Sequence, residues 1–184
     1  MKVTPLGIDG AWLIEAPTFP DNRGFFREWF VSDFSENMEL PKFALEQANT
    51  SISSLGVIRG IHFTREETGQ SKIVTCTFGR VMDILVDLRH KSPAFKKVIK
   101  VELDFQNGLS LFITSGIGHG FQSLENNSVV TYLLNKRYEP SKEFSINPMD
   151  PELDIGWQAI NPVISEKDLG SPTIAEALYW KDPK

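Results

Sequence analysis

From about residue 43 to residue 139 the chain is a succession of short runs rich in Val, Ile, Phe and Thr, each closed by Gly, Asn or Pro. This punctuation limits the fold more than any other feature. The runs have strand length and strand composition, so the sequence predicts an all-β architecture with roughly seven strands or more. The clearest are residues 72–79 (KIVTCTFG), 80–89 (RVMDILVDLR), 96–103 (KKVIKVEL), 109–114 (LSLFIT) and 128–138 (SVVTYLLNKRY). Turns are expected at Phe78-Gly79, Gln106-Asn107-Gly108 and Glu125-Asn126-Asn127, where residues that tolerate turn conformations gather.

In RVMDILVDLR, strict alternation puts Val81, Asp83, Leu85 and Asp87 on one face and Met82, Ile84, Val86 and Leu88 on the other. The second is a core face, and the mixed first face suits a wet pocket. Helix signals are sparse: one or two turns over Ser32–Met38, and a short C-terminal helix over Ile174–Trp180. Residues 139–184 begin with a long arm rich in Pro, Asp, Asn and Glu and without periodicity, as expected of an ordered lid of turns. At 184 residues, one domain is expected, with an N-terminal segment over 1–45, a barrel core over about 46–138 and the arm over 139–184. Many short strands with inward polar residues fit a small jelly-roll β-barrel with a ligand inside.

Several function classes are disfavoured. A formal net charge of -5 argues against a general nucleic-acid binder, which needs a basic face. Any anionic ligand must then be met by a few local cations. One cysteine, Cys76, excludes an intrachain disulfide, and no apolar run of signal-peptide length follows the start. A cytoplasmic protein is expected, away from the membrane, because no window approaches the roughly 20 apolar residues of a spanning helix.

Of the three histidines, His90 sits in a charged loop and reads as a surface ring. His62 in Arg59-Gly60-Ile61-His62-Phe63 and His119 in Gly118-His119-Gly120-Phe121 stand beside small residues that let a ligand approach closely, although both also suit satisfied core positions. A barrel metal site built on His-x-His would need a histidine where Thr64 stands, so a metal-free mechanism is expected, with no cofactor. Acid and base groups are available: His62 as a base near neutral pH, Lys72 opening a strand, Tyr132 within another, and Asp168 in SEKD. Proton abstraction beside a carbonyl needs a base, a carboxylate behind it and a cation for the enolate. Each residue also has a purely structural reading: a solvated strand end for Lys72, core packing for Tyr132, a helix cap for Asp168.

Six blocks in series carry a resemblance: DNRGFFREWF (21–30), QANTSISSLGVIRGIHF (47–63), SKIVTCTFGRVMDILVDLRHKSPAF (71–95), SGIGHGFQSL (115–124), TYLLNKRYEPSKE (131–143) and SEKD (165–168). Together they closely resemble the dTDP-4-dehydrorhamnose 3,5-epimerase family along nearly the whole chain. The resemblance implies a cupin-type jelly-roll barrel with short peripheral helices, homodimeric, cytoplasmic and free of catalytic metal. It implies a dTDP-4-keto-6-deoxyhexose substrate inverted at C3 and C5, with His62 as base, Asp168 as its partner, Lys72 on the enolate oxygen and Tyr132 as the acid on the opposite face. By the same resemblance Arg59 meets the diphosphate, Arg23 and His119 contact the nucleotide, and Phe26 and Tyr138 offer surfaces to thymine. Glu28, Gln47 and Asn49 become polar contacts to base and sugar, Glu143 and Lys167 further substrate-side contacts, and a partner subunit completes each site near its N-terminus.

The chain departs from many relatives in reading Ser145-Ile146-Asn147-Pro148-Met149-Asp150-Pro151 where they carry a tryptophan. Gly118 and Ser115-Gly116 also differ, as loop variants, and little chain follows Trp180. The arm is therefore expected to pack differently over the pocket, with consequences for the sugar. A C3-only or C5-only epimerase shares every catalytic residue, and a binding module without activity is the reading from another class.

Overall fold

The computed structural model describes residues 1–38 and 40–177. It is mainly β, with strands β1 (Lys2–Pro5), β2 (Ala11–Glu15), β3 (Thr18–Asp21), β4 (Gly24–Arg27), β5 (Gln47–Ser53), β6 (Val57–Thr64), β7 (Lys72–Phe78), β8 (Arg80–Asp87), β9 (Val98–Asp104), β10 (Leu109–Ile113), β11 (Ile117–Ser123), β12 (Ser128–Leu134), β13 (Glu143–Ser145) and β14 (Val163–Ile164). Among the described residues α-helix is confined to single turns, α1 (Phe34–Asn37) and α2 (Glu166–Leu169), with one 3-10 turn at Glu66–Thr68. The helix expected over Ser32–Met38 is thus one turn. Ile174 to Glu176 form a turn, and the rest of the helix expected over Ile174–Trp180 lies outside the described residues.

One sheet runs β1-β2-β10-β7-β12-β5 and the other β13-β6-β11-β8-β9, with β14 added parallel to β6. The barrel therefore draws on more than residues 46–138: β1 and β2 extend the first sheet, and β13 and β14 join the second. Val74, Leu111, Ile113 and Val130 of one sheet pack against Val81, Leu85, Leu103, Ile117 and Phe121 of the other, so the interior is filled between the two inner faces.

Both sheets are also covered outside, which is why several strands read as apolar on both faces. Ile61, Phe63, Ile84, Val86 and Leu88 meet Ile146, Leu153, Ile155 and Ile174 of the C-terminal arm. Ile14, Ile73, Phe112 and Leu133 meet Phe34 and Phe43 of the N-terminal segment. The arm that the sequence leaves without periodicity is thus held by its own apolar side chains. At β9–β10, Asp104 Oδ1 accepts from the N–H groups of Gln106 and Asn107 at 2.6 and 2.7 Å, fixing the expected turn.

The β6–β11 pairing carries the site. His62 stands opposite His119 and Arg59 opposite Phe121, so three steps along β6 match two along β11. A strict strand would send Arg59 and His62 to opposite faces. The extra residue, a β-bulge, returns both to the inner face. Gly60 makes it possible: its φ is 125°, and a Cβ there would stand 2.5 Å from Gly120 Cα and 2.9 Å from the His119 carbonyl oxygen.

Candidate active site

Polar groups from both inner faces and from the α2 segment gather beside the apolar cluster, to which Phe121 belongs and against which Tyr132 packs. A cavity of about 240 Å³ there is lined by Ser51, Arg59, His62, His119, Gly120, Phe121, Tyr132, Ser165, Lys167 and Asp168. On β5 the inner positions are Gln47, Asn49, Ser51 and Ser53, and Asn49 is the register partner of Tyr132.

His62 Nε2 lies 2.8 Å from Asp168 Oδ1. The carboxylate comes from the arm, 106 residues away in sequence, and three features hold it. Its second oxygen accepts from the Gly60 N–H at 3.3 Å. Ser165, the N-cap of α2, accepts from the Asp168 N–H at 3.1 Å, and β14 fastens the segment to β6. The helix cap is therefore Ser165 rather than Asp168, whose side chain is free to bond the ring. Burial works against the Asp168 charge, but bonds from His62, Gly60 and Ser165 outweigh it and hold the carboxyl below the usual range. The His62 side chain is 29% exposed and that of Asp168 6%, so the ring is reachable and its partner enclosed. With Nε2 committed, a neutral His62 keeps a lone pair on Nδ1, which can take a proton.

Lys72, at the start of the inner face of β7, is pushed below the ordinary lysine range by burial, against the attraction of Glu143 and Asp83. Tyr132 is pushed upward by burial and by Glu143, against a hydrogen bond from Asn49 and the charge of Arg59. The tyrosine thus stays a proton donor, and the lysine is a cation that yields its proton more readily than usual. Arg59 donates from Nε to Ser53 Oγ at 3.1 Å and from Nη2 to the Ile52 carbonyl at 3.2 Å. His119 Nε2 lies 2.8 Å from Asp83 Oδ2.

Tyr138 and Glu143 line a second cavity of about 370 Å³, together with Glu46, Gln70, Lys136 and Lys142. Gln47 ties the two regions, donating to Asn49 Oδ1 at 2.9 Å and accepting from the Tyr138 N–H at 2.9 Å. Lys167 lines the first cavity beside Asp168. Arg23, Phe26 and Glu28 line neither of these cavities. Arg23 and Phe26 lie in the β3–β4 hairpin and Glu28 directly follows it, Phe26 is 63% exposed, and Arg23 pairs with Asp21 at 2.6 Å. The hairpin leans instead on the β9–β10 turn, where Arg27 donates to the carbonyls of Phe105 and Gln106.

Three contributors are not legible as site residues in the sequence: Ser53, which holds Arg59; Ser51, whose hydroxyl is buried in the lining without a hydrogen-bond partner among the described residues; and Asp83, which holds His119. The alternation of β8 gave a signal for Asp83 by placing a carboxylate on the mixed face. Among the described residues no group of three or more His, Cys, Asp or Glu side chains is arranged to hold a metal ion, and no helix is long and apolar enough to cross a membrane.

The barrel is of the cupin type, as in the epimerases of known structure that it resembles. The sequence model of the dTDP-4-dehydrorhamnose 3,5-epimerase family matches residues 5–176. The chain is 40% identical over 178 residues to the dTDP-4-dehydrorhamnose 3-epimerase of Streptomyces niveus, covering 96% of this chain and 86% of that one. It is 40% identical over 173 residues to the dTDP-4-dehydrorhamnose 3,5-epimerase of Streptomyces griseus, covering 94% and 86%. Among solved structures it superposes with a TM-score of 0.89 at 36% identity on ChmJ, a 3'-monoepimerase from Streptomyces bikiniensis in complex with dTDP-quinovose, covering 94% and 87%. The chain belongs to the dTDP-4-dehydrorhamnose 3,5-epimerase family, enzymes of the isomerase class.

Proposed function

We propose that the protein epimerises a dTDP-4-keto-6-deoxyhexose at C3 and C5, converting dTDP-4-dehydro-6-deoxyglucose to dTDP-4-dehydro-L-rhamnose. The observation that carries the reading is the His62–Asp168 pair lining one cavity with Tyr132. His62 Nδ1 takes the proton from the carbon beside the C4 ketone, and the C–H electrons move into the carbonyl. The enolate oxygen so formed is met by Lys72. Tyr132 returns a proton to the opposite face of the carbon, and solvent restores both groups. Repetition at the second carbon completes the reaction. Each inversion removes one proton and returns one, so no electrons are transferred and no cofactor enters.

In the same reading Arg59 binds the diphosphate as a bidentate donor, and His119, Gln47, Asn49, Glu143 and Lys167 supply polar contacts. Tyr138 lies against the thymine. Arg23, Phe26 and Glu28 act across a homodimer, each hairpin reaching the partner's site, which is supported by its exposed Phe19 and Phe26. Residence is cytoplasmic, in keeping with the buried and free Cys76. The identity to a 3-epimerase as high as that to a 3,5-epimerase favours inversion at C3 alone as the second reading.

Proton NMR of the protein with dTDP-4-keto-6-deoxyglucose in deuterated water separates the two. Loss of both the C3 and C5 signals is expected, and loss of C3 alone establishes the mono-epimerase. Binding without exchange at either carbon refutes the enzymatic reading of this substrate.

A further inference from the structure

The turn that carries Asp168 offers almost nothing for the core to grip. α2 is a single turn of four residues, too short to be stable by itself. Its only buried side chain is Asp168, and its one apolar residue, Leu169, is 48% exposed. An enclosed carboxylate is thus carried on a turn without an apolar anchor, and its place 2.8 Å from His62 Nε2 is held by polar links. Ser165 and β14 fix the chain before Asp168. The chain after it is fixed by three residues that the proposed chemistry leaves unused: Ser145, Asn147 and Ser171.

Ser171 Oγ donates to the Lys167 carbonyl at 3.1 Å. A hydroxyl has one proton to give, so in the 2.7 Å contact between Ser145 Oγ and Ser171 Oγ the donor is Ser145. The result is a one-way relay from Ser145 through Ser171 to the carbonyl of the peptide that joins Lys167 to Asp168. Asn147 adds two bonds from the same side. Its Nδ2 donates to the Leu169 carbonyl at 2.8 Å, and its N–H to the Pro172 carbonyl at 2.9 Å. The last carbonyls of a helical turn lack partners within it, and the relay and Asn147 supply them here.

These links close a ring on the His62–Asp168 pair. Ser145 on β13 is the register partner of His62 on β6, and Ile146 and Ile61 exchange backbone bonds of 2.9 and 3.2 Å beside it. Histidine and carboxylate are therefore joined twice, directly at Nε2 and indirectly through Ser145, Ser171 and the Lys167 peptide. Neither cavity is lined by Ser145, Asn147 or Ser171, so their part is played through other residues. We propose that these three are positioning residues, a clamp that sets Asp168 against His62 and so aims Nδ1 of the ring at the carbon to be deprotonated. A carboxylate bonded to one ring nitrogen fixes the direction of the other, and a misplacement of about 1 Å can slow a reaction about a hundredfold. A loosened turn should then cost turnover rather than binding. The inference rests on the epimerase reading for the use of His62, and on the hydrogen bonds alone for the clamp.

Ser171→Ala removes the middle of the relay in the full protein, and Ser171→Thr keeps its hydroxyl. With dTDP-4-keto-6-deoxyglucose as substrate, Ser171→Ala is expected to lower kcat about tenfold or more while dTDP affinity stays within about threefold. Ser171→Thr is expected to recover kcat to within about threefold of the wild type. A crystal structure of Ser171→Ala should show the His62–Asp168 contact opened beyond hydrogen-bond distance. The contact kept at its wild-type length, or kcat unchanged with the contact open, overturns the proposal. A fall in dTDP affinity with kcat retained also overturns it, because the clamp would then serve Lys167 as a ligand contact. If Ser171→Ala does not fold, Ser145→Ala, which removes only the donor end of the relay, is read by the same measurements. A wild-type protein without turnover refutes the epimerase reading instead, and the crystal structure still decides the clamp.

Discussion

Replacing Gly60 by alanine tests the bulge on which the site depends. The added Cβ would stand 2.5 Å from Gly120 Cα and 2.9 Å from the His119 carbonyl oxygen. Both are backbone atoms of a paired strand, so neither can swing aside. The backbone conformation adds its own penalty, because φ at Gly60 is 125°, a region nearly closed to residues with a side chain. Conformational strain of about 1–3 kcal/mol and overpacking of about 1–3 kcal/mol together predict a loss of roughly 2–6 kcal/mol. For a chain of this length that is a fall in Tm of roughly 10 °C. Two other glycines separate the causes. Gly56 has φ 79° and a would-be Cβ in ordinary contact, 3.7 Å from Ala159 Cβ, so Gly56→Ala should cost about 1–2 kcal/mol from the backbone alone. Gly120 has no such φ, but its Cβ would meet the Arg59 carbonyl oxygen at 2.7 Å, so Gly120→Ala reports the clash alone. Urea unfolding gives the three free energies, and dTDP titration together with turnover reports the site. A Gly60→Ala protein as stable as Gly56→Ala, with turnover intact, would refute the claim that this close crossing sets the placement of Arg59 and His62.

The other predictions address the chemistry. His62→Ala should abolish turnover while dTDP affinity stays within about tenfold, or roughly 1.4 kcal/mol; measurable turnover removes His62 as the base. Tyr132→Phe should still exchange substrate protons with deuterated solvent but lose inverted product, and a variant that does both normally places the acid elsewhere. Burial lowers Lys72 from its ordinary 10.5 and raises Tyr132 above 10.0, so the alkaline loss of kcat should come from Lys72. Lys72→Arg should then carry the surviving activity to higher pH, and an unmoved alkaline limb contradicts this. The Asp168 carboxyl is held below its ordinary 3.8 in the folded protein, so its stabilisation is complete above that value and disappears as pH falls through the lower folded value. Urea midpoints of the wild type and Asp168→Asn should converge across that window, and a constant gap would refute the linkage.

The fold was legible because strand runs and turn residues are local signals. Residues 80–87 even show which face is mixed, and that face holds both Asp83 and the inner apolar residues Val81 and Leu85. The N-terminal strands were not legible. Lys2–Pro5 and Thr18–Asp21 are four residues each and contain proline, too short to show a period. β14 has two residues and exists only because β6 offers an edge. The same limit governs the site. The resemblance named His62 and Asp168 together, but nothing local ties residues 106 positions apart, and Asp83 and His119 are separated by 36. Arg59 and His62 show the limit most directly, since their odd spacing, taken alone, argues against a shared face. What reconciles them is a mismatch of one residue between β6 and β11, with glycine on each strand at the crossing. Such a bulge is a property of two strands, so it cannot be read from either one. Gly60 and Gly120 are its trace in the sequence: small residues beside each histidine mark where backbones meet, before they mark where a ligand comes near.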